Sequence, residues 1–251
     1  MDADGHRQRV LISGQNGQII ICVSRRESAA SFLFKIINRR DAECAEIIES
    51  LARPGGNVTG NSSLSHRPIW KKLEFIKEIV PRLTRVVVLV VGTRRGRGTQ
   101  VQIKEIKRAA QSLDVKLLFL KFKRGDPKGY ENAFEAAVRE KVDAIIPTNS
   151  SYHFRKRKEI VKLAAKSRLP AIYQSKGFVE DEGLISYGVS YPHLYRHAAE
   201  YVGKILKGVK PTDLPVQQPT KFELIINLKT AKQLGVTIPP EMLFRADKVI
   251  K

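Results

Sequence analysis

Arg85-Val86-Val87-Val88-Leu89-Val90-Val91 is an unbroken apolar run, and three more follow it: Val115-Lys116-Leu117-Leu118-Phe119-Leu120, Val142-Asp143-Ala144-Ile145-Ile146-Pro147 and Leu169-Pro170-Ala171-Ile172-Tyr173. A strand with one face in water alternates apolar and polar residues. A strand covered on both faces does not, so these runs predict parallel strands buried between helices. The stretches between them carry helical spacing: Val101, Ile103, Ile106, Ala109, Ala110 and Leu113; then Ala133, Phe134, Ala137 and Val138; then Ile160, Val161, Leu163 and Ala164. Strands alternating with helices predict an α/β chain with a parallel sheet. Ligands of such sheets sit in the loops after the strand ends. That rule selects three loops: Gly92 to Gly98, Thr148 to Tyr152, and Gln174 to Gly177.

Beyond Tyr187-Gly188 the rhythm changes. Pro192 to Lys207 predicts a long amphipathic helix with Leu194, Ala198, Tyr201, Val202, Ile205 and Leu206 on one side, stopped by Gly208 and Pro211. Phe222-Glu223-Leu224-Ile225-Ile226 predicts a strand, Leu228 to Leu234 a short helix closed by Gly235, and Pro239-Pro240 the start of a tail. Upstream, Ala42 to Leu51 predicts a helix capped by Asp41, Asn57-Val58-Thr59-Gly60 a short strand with its exit, and Trp70 to Val80 a helix closed by Pro81. Residues 1–30 show no sustained pattern.

At 251 residues the chain has room for one large domain or two small ones. Its hydrophobic content of 42% and charged content of 28% exclude a collagen-like or wholly disordered chain. No stretch is long and apolar enough to read as a transmembrane span. The outlier is a net charge of +20, and its placement is uneven: residues 71–170 carry 25 basic and 10 acidic groups, net +15. Such a footprint fits either a solvated lysine-rich surface or contact with nucleic acid or another polyanion. The N-terminus offers Asp2, Asp4 and an apolar run of only Ile19 to Val23 before Arg25-Arg26, which is not an export signal. As written, the start predicts a cytoplasmic chain, with Cys22 and Cys44 as free thiols.

The search for chemistry returns no catalytic constellation. His193 and His197 stand four residues apart on a predicted helix, but no Glu follows His193 and no third ligand is near, so a surface helix is the simpler reading. Gly92-Thr93-Arg94-Arg95-Gly96-Arg97-Gly98 lies where a phosphate loop would, yet lacks the Gly-Lys-Ser/Thr ending. Arg155-Lys156-Arg157-Lys158 is a basic run after the third strand, readable as a solvated face or a nucleic-acid patch. No Cys-x-x-Cys, paired carboxylates or Ser/His/Asp arrangement predicts an enzyme, a metal or a cofactor.

Two stretches carry a resemblance. Ser50-Leu51-Ala52-Arg53-Pro54-Gly55-Gly56-Asn57-Val58-Thr59-Gly60 is one. The other runs from Leu214-Pro215-Val216-Gln217-Gln218-Pro219-Thr220-Lys221-Phe222 through Leu228-Lys229-Thr230-Ala231-Lys232 to Gly235-Val236-Thr237-Ile238-Pro239-Pro240. Together with Arg168 to Tyr173 and Ser186-Tyr187-Gly188 between them, they resemble the substrate-binding proteins of ABC importers, in the tryptophan and amino-acid-type subgroup. The resemblance implies a type I periplasmic-binding fold: two Rossmann-like lobes, three crossovers and a solute clamped between the lobes. It divides the chain into an atypical segment 1–30, a remnant of the first lobe over 31–60, a second lobe over 61–188, and a segment 189–251 returning to the first lobe and hinge. Phe32 to Asn38 resembles the last strand of a first lobe whose earlier units are not matched, so that lobe is expected to be truncated.

The implied function is non-catalytic capture of a small amino-acid-like or organic-acid solute, delivered to ABC permease subunits by a monomer. Relatives work in the periplasm or anchored outside the membrane. Two other readings stay open: a transport-inactive, truncated homologue, and a cytosolic basic protein binding nucleic acid. The ligand-contact candidates are Asp41, Thr59, Gly60 and Asn61 from the first lobe, Asn149, Ser150, Ser151, Tyr173 and Gln174 from the second, and Tyr187 and Gly188 near a crossover. Hydroxyl, amide and backbone groups suit a zwitterion, and a tyrosine face suits its apolar part. The plain alternatives are that Tyr173 and Tyr187 are core aromatics and that Asn149 caps the next helix.

Overall fold

A computed structural model describes residues 9–15, 18–24, 50, 52–53, 58–61, 69–92 and 97–251. The strand expected over Phe32 to Asn38, Asp41 and the helix expected from Ala42 lie outside the described residues. So do Thr93 to Gly96 of the arginine loop. The chain divides into two units: Met1–Leu64 with Ser190–Lys221, and Ser65–Val189 with Phe222–Lys251. Residues 190–221 and 222–251, expected to return together to the first lobe, thus belong to different units.

The second unit is built on the apolar runs. Strand β4 (Arg85–Val91) pairs in parallel with β5 (Lys116–Phe122) on one side and β6 (Ala144–Pro147) on the other. A bridge between Ile145 and Ala171 carries the order on to β7 (Ile172–Tyr173), which is parallel to β8 (Ile185–Val189). Strand β9 (Phe222–Asn227) then joins β8 antiparallel, and β10 (Lys248–Ile250) is parallel to β9. The tail expected after Pro239 is therefore a helix followed by an edge strand. The missed strand is three residues long, too short for a periodic signal.

Helices cover both faces. Val86, Val88 and Val90 point into a core with α1 (Ile69–Ile79), α2 (Arg97–Ser112), α8 (Leu228–Leu234) and α9 (Pro240–Arg245). Val87, Leu89 and Val91 point into the other core, against α3 (Gly129–Arg139), α5 (Arg157–Lys166) and α6 (Lys176–Glu180). The short α4 (Ser151–Arg155) precedes α5. Val86, Val87, Val88 and Leu89 are each 0% exposed, so successive residues are buried on opposite faces, and the unalternated run follows from that. Each such side chain contributes roughly 1.5–3 kcal/mol of burial. Gly235 closes α8 at φ 69°, the left-handed conformation that a C-terminal glycine adopts most readily.

The first unit holds a three-stranded antiparallel sheet, β1 (Arg9–Gln15), β2 (Gln18–Ser24) and β3 (Val58–Asn61), where parallel strands were implied. Arg9 pairs with Ser24 and Gln15 with Gln18. Asn16-Gly17 stands in sequence between them, the dipeptide most favoured in two-residue hairpins. Helix α7 (Tyr191–Leu206) buries Leu194, Ala198, Tyr201 and Ile205 with Leu214, which is the stripe its spacing predicts. Among the described residues, no helix is long and apolar enough to cross a membrane.

Candidate functional site

The carboxyl end of the second unit's sheet carries a rim of polar groups. Strand β6 ends at Pro147, and Thr148 turns the chain, its N–H and hydroxyl both donating to the Leu89 carbonyl at 3.0 Å. Asn149 and Ser150 follow, and two glutamine side chains grip their backbones. Asn149 N–H donates to Gln102 Oε1 at 2.6 Å, and Gln102 Nε2 donates back to the Asn149 carbonyl at 3.2 Å. Ser150 N–H donates to Gln174 Oε1 at 2.8 Å, and Gln174 Nε2 donates to the Ser150 carbonyl at 2.9 Å. A primary amide has one acceptor and two donors, so it can close such a ring on a single peptide residue. Consecutive residues are thereby fixed from two elements, α2 and the loop after β7.

Beneath this loop lies Lys72 of α1, 0% exposed, whose Nζ donates to Asn149 Oδ1. Burial lowers its pKa from 10.5 to about 7. Desolvation penalises the ammonium, and no carboxylate among the described residues forms an ion pair with it. His153 is also 0% exposed, with Nδ1 at 2.7 Å from the Tyr130 hydroxyl and Nε2 at 3.4 Å from the Thr148 hydroxyl. Burial brings its pKa down to about 3, with Lys72 adding to the shift, so the imidazole is neutral. The guanidinium groups of Arg124 and Arg155 lie 5.6 and 5.8 Å from the Tyr152 ring centroid, and the Tyr152 hydroxyl accepts from Gly125 N–H at 3.0 Å. The rim is thus electropositive, and the segment Thr148 to Tyr152 contains no acid.

The expected contact residues fall in different settings. Asn149 and Ser150 are half-buried and Ser151 is exposed, all on this rim. Ser150 also caps α4, its hydroxyl accepting from Tyr152 N–H at 3.2 Å. Gln174 lies behind Ser150 as its clamp. Tyr173 is 1% exposed, stacked on Phe178 with centroids 4.6 Å apart, and burial raises its pKa. The structure thus places Tyr173 in the core rather than on an open surface. Tyr187 points to the opposite face of the sheet, edge-on to Phe75 at 5.0 Å. Gly188 abuts the backbone of Gln174 so closely that a Cβ would overlap its carbonyl oxygen.

In the first unit, Thr59, Gly60 and Asn61 lie within strand β3 rather than in a loop after it, and all three are buried. Thr59 donates its hydroxyl to the Leu214 carbonyl at 2.6 Å, and Asn61 Nδ2 donates to the Leu194 carbonyl at 2.9 Å. Asn61 also borders an open cavity of about 350 Å³, with His193, Leu194, His197 and residues 217–220. The two imidazoles meet edge to face at 4.7 Å. No third metal ligand joins them among the described residues.

Lys72, Gln102 and His153 were missed from sequence. Lys72 had a signal: it falls on the stripe of Ile69, Leu73, Ile76 and Ile79 that α1 buries, a position where an uncompensated charge is unusual. The basic run after β6 is largely structural. Lys156 pairs with Glu159 at 2.9 Å, and Arg157 pairs with Asp181 at 2.7 Å while lying over Phe154.

A family profile described as ABC transporter substrate binding protein matches residues 36–250. A tyrosine-binding protein of Clostridioides difficile is 25% identical over 193 residues, covering 76% of this chain and 54% of the relative. The chain thus spans about half the length of that curated relative. The ABC domain of Streptococcus pneumoniae, solved in complex with L-Trp, is 26% identical with a TM-score of 0.69, covering 84% of this chain and 71% of that one. A conserved domain protein of Vibrio cholerae O1 biovar El Tor is 29% identical with a TM-score of 0.70, covering 83% and 68%. The α/β class expected from the apolar runs, and the type I periplasmic-binding-like fold that the resemblance implies, are therefore the observed ones. With all but the first 35 residues and Lys251 matched by the profile, the chain belongs to the family of ABC transporter substrate-binding proteins.

Proposed function

We propose that this chain is a solute-binding component of an ABC-type importer, capturing a small amino-acid-like or organic-acid molecule without chemistry. The observation that carries this reading is the rim after β6. Asn149 and Ser150 are held rigid by Gln102 and Gln174, with Ser151 exposed beside them. Polar groups fixed in advance lower the ordering cost of binding, which suits capture and release. Two relatives support the solute class: one is a tyrosine-binding protein and the other was solved with L-Trp. The second unit then acts as the second lobe, with Asn149, Ser150 and Ser151 as its solute wall. The partners are the permease subunits of the importer, and the working compartment is outside the cytoplasmic membrane.

The test is calorimetry of the purified protein with L-tyrosine, L-tryptophan, other amino acids and small organic acids. Saturable binding of at least one, with the solute recovered unchanged, is the expected result. Silence across the panel, or turnover of a bound compound, overturns the proposal.

A further inference from the structure

Helix α7 carries His193 and His197 one turn apart, and both border the open cavity of about 350 Å³ in the first unit. Two walls of that cavity are anchored on β3. Asn61, 3% exposed, donates Nδ2 to the Leu194 carbonyl at 2.9 Å, within the turn that joins the two histidines. The Gly60 carbonyl accepts from Gln217 N–H at 3.0 Å, which ties down the start of the lining segment 217–220. The backbone that carries the imidazoles is therefore held before any ligand arrives, which lowers the ordering cost of binding.

The ring separation fits a shared ion. A ligating imidazole nitrogen lies about 2.0–2.1 Å from Zn²⁺, which puts the ring centroid about 3.2 Å from the ion. Two such rings set about 90–110° apart around one ion have centroids about 4.5–5.2 Å from each other. The centroids of His193 and His197 are 4.7 Å apart. His197 Nδ1 also lies 3.5 Å from Glu200 Oε2, three residues further along the helix. A carboxylate at Nδ1 favours the hydrogen on that nitrogen and leaves Nε2 as the lone-pair donor, an arrangement common behind metal-ligating histidines.

We propose that His193 and His197 bind a divalent transition-metal ion of the zinc class, with Glu200 orienting His197 and water on the remaining positions. With two protein ligands, this is an open, exchangeable site rather than a closed structural one. Imidazole ligands suit Zn²⁺, Ni²⁺ and Cu²⁺, whereas Mg²⁺ and Ca²⁺ take oxygen ligands. Gln217, Gln218 and Thr220 make the lining polar, which suits an ion that keeps its waters. Glu200 is a positioning residue that does not touch the metal.

The test is a Zn²⁺ titration of the full chain labelled with nitrogen-15, near neutral pH, read at the imidazole nitrogens of each histidine. Thiols also take zinc, so the two imidazoles decide the outcome, not the total metal bound. His193 and His197 should shift together along one saturation curve, while the buried His153 stays in place. Mg²⁺ at the same concentration should move neither. His193→Gln should weaken the zinc response at His197 at least about tenfold, a gap of about 1.4 kcal/mol, with the rest of the spectrum unchanged. Glu200→Gln should weaken it about tenfold. Movement of one imidazole alone, movement of neither, an equal response to Mg²⁺, or an unchanged response at His197 in His193→Gln each overturns the proposal. An unchanged affinity in Glu200→Gln overturns the role given to Glu200. The titration of the unmodified protein needs no variant to fold, and its outcome is independent of the solute calorimetry.

Discussion

Lys72 makes a quantitative demand on stability. Its pKa is about 7 in the folded protein against 10.5 for an ordinary lysine. Between those values the unfolded chain holds a proton that the folded chain has released. Stability therefore rises with pH across the window, by at most about 1.4 kcal/mol per unit. The burden is fully present below pH 7 and fades as pH approaches 10.5. The whole span is on the order of 4–5 kcal/mol. Lys72→Met keeps the length and apolar stem and removes the titration. It leaves Asn149 Oδ1 without a donor, which costs about 1 kcal/mol at all pH values. The variant should therefore be more stable than the natural protein near neutrality, with the gap closing and then reversing at high pH. Trp70, the single tryptophan, lies two residues away in α1, so its fluorescence reports unfolding of this unit. Urea titrations followed at Trp70, at intervals from about pH 6 to about pH 10, give the two curves. Other titrating groups cancel in the difference. Parallel curves, with no pH-dependent gap, would refute the placement of an unpaired ammonium in this core.

Gly188→Ala should destabilise the second unit by about 3 kcal/mol or more, read as a lower urea midpoint. The new methyl group has to displace the Gln174 backbone, which Gln174's own clamp on Ser150 holds in place. An unchanged midpoint would show that β8 and this loop are not in contact. His153 acts on the acid side. Buried and neutral with a pKa of about 3 against 6.5 unfolded, it makes stability fall as pH drops below about 6.5. His153→Gln should flatten that slope in acid titrations followed at Trp70, and an identical slope would count against a buried imidazole.

How far the sequence was readable follows from which forces act locally. Val86 to Val91 announced a central strand because burial on both faces is written into consecutive residues. Helix α7 was readable because its partners recur at helical spacing, and the end of α8 because Gly235 is needed at a positive φ. The β1–β2 pairing is hard to read from sequence because Asn16-Gly17 is flanked by residues that lack alternation. The rim was only half readable. The rule that ligands meet strand ends pointed to Asn149 and Ser150, but Gln102 lies 47 residues from Asn149, and Gln174 lies 24 from Ser150. No local pattern distinguishes a clamping glutamine from a solvated one. Tyr173 was drawn to the site by its place at a strand end, yet β7 is a two-residue inner strand with both residues buried, so its aromatic ring belongs to the core.

The same residues bear on why the rim is built as it is. A methionine at position 72 would satisfy the core better than a lysine, because replacing a buried charge with an apolar chain of similar volume is commonly neutral or stabilising. The two glutamine clamps and the glycine at 188 all serve to hold one loop still. If rigidity were the whole purpose, a neutral donor under Asn149 would serve equally well and spare several kcal/mol near neutrality. What a lysine adds, in its protonated form, is a buried positive charge with no ion-pair partner among the described residues. Local rules broken without local compensation are expected at functional sites, and the buried Lys72 beneath Asn149 is such a place.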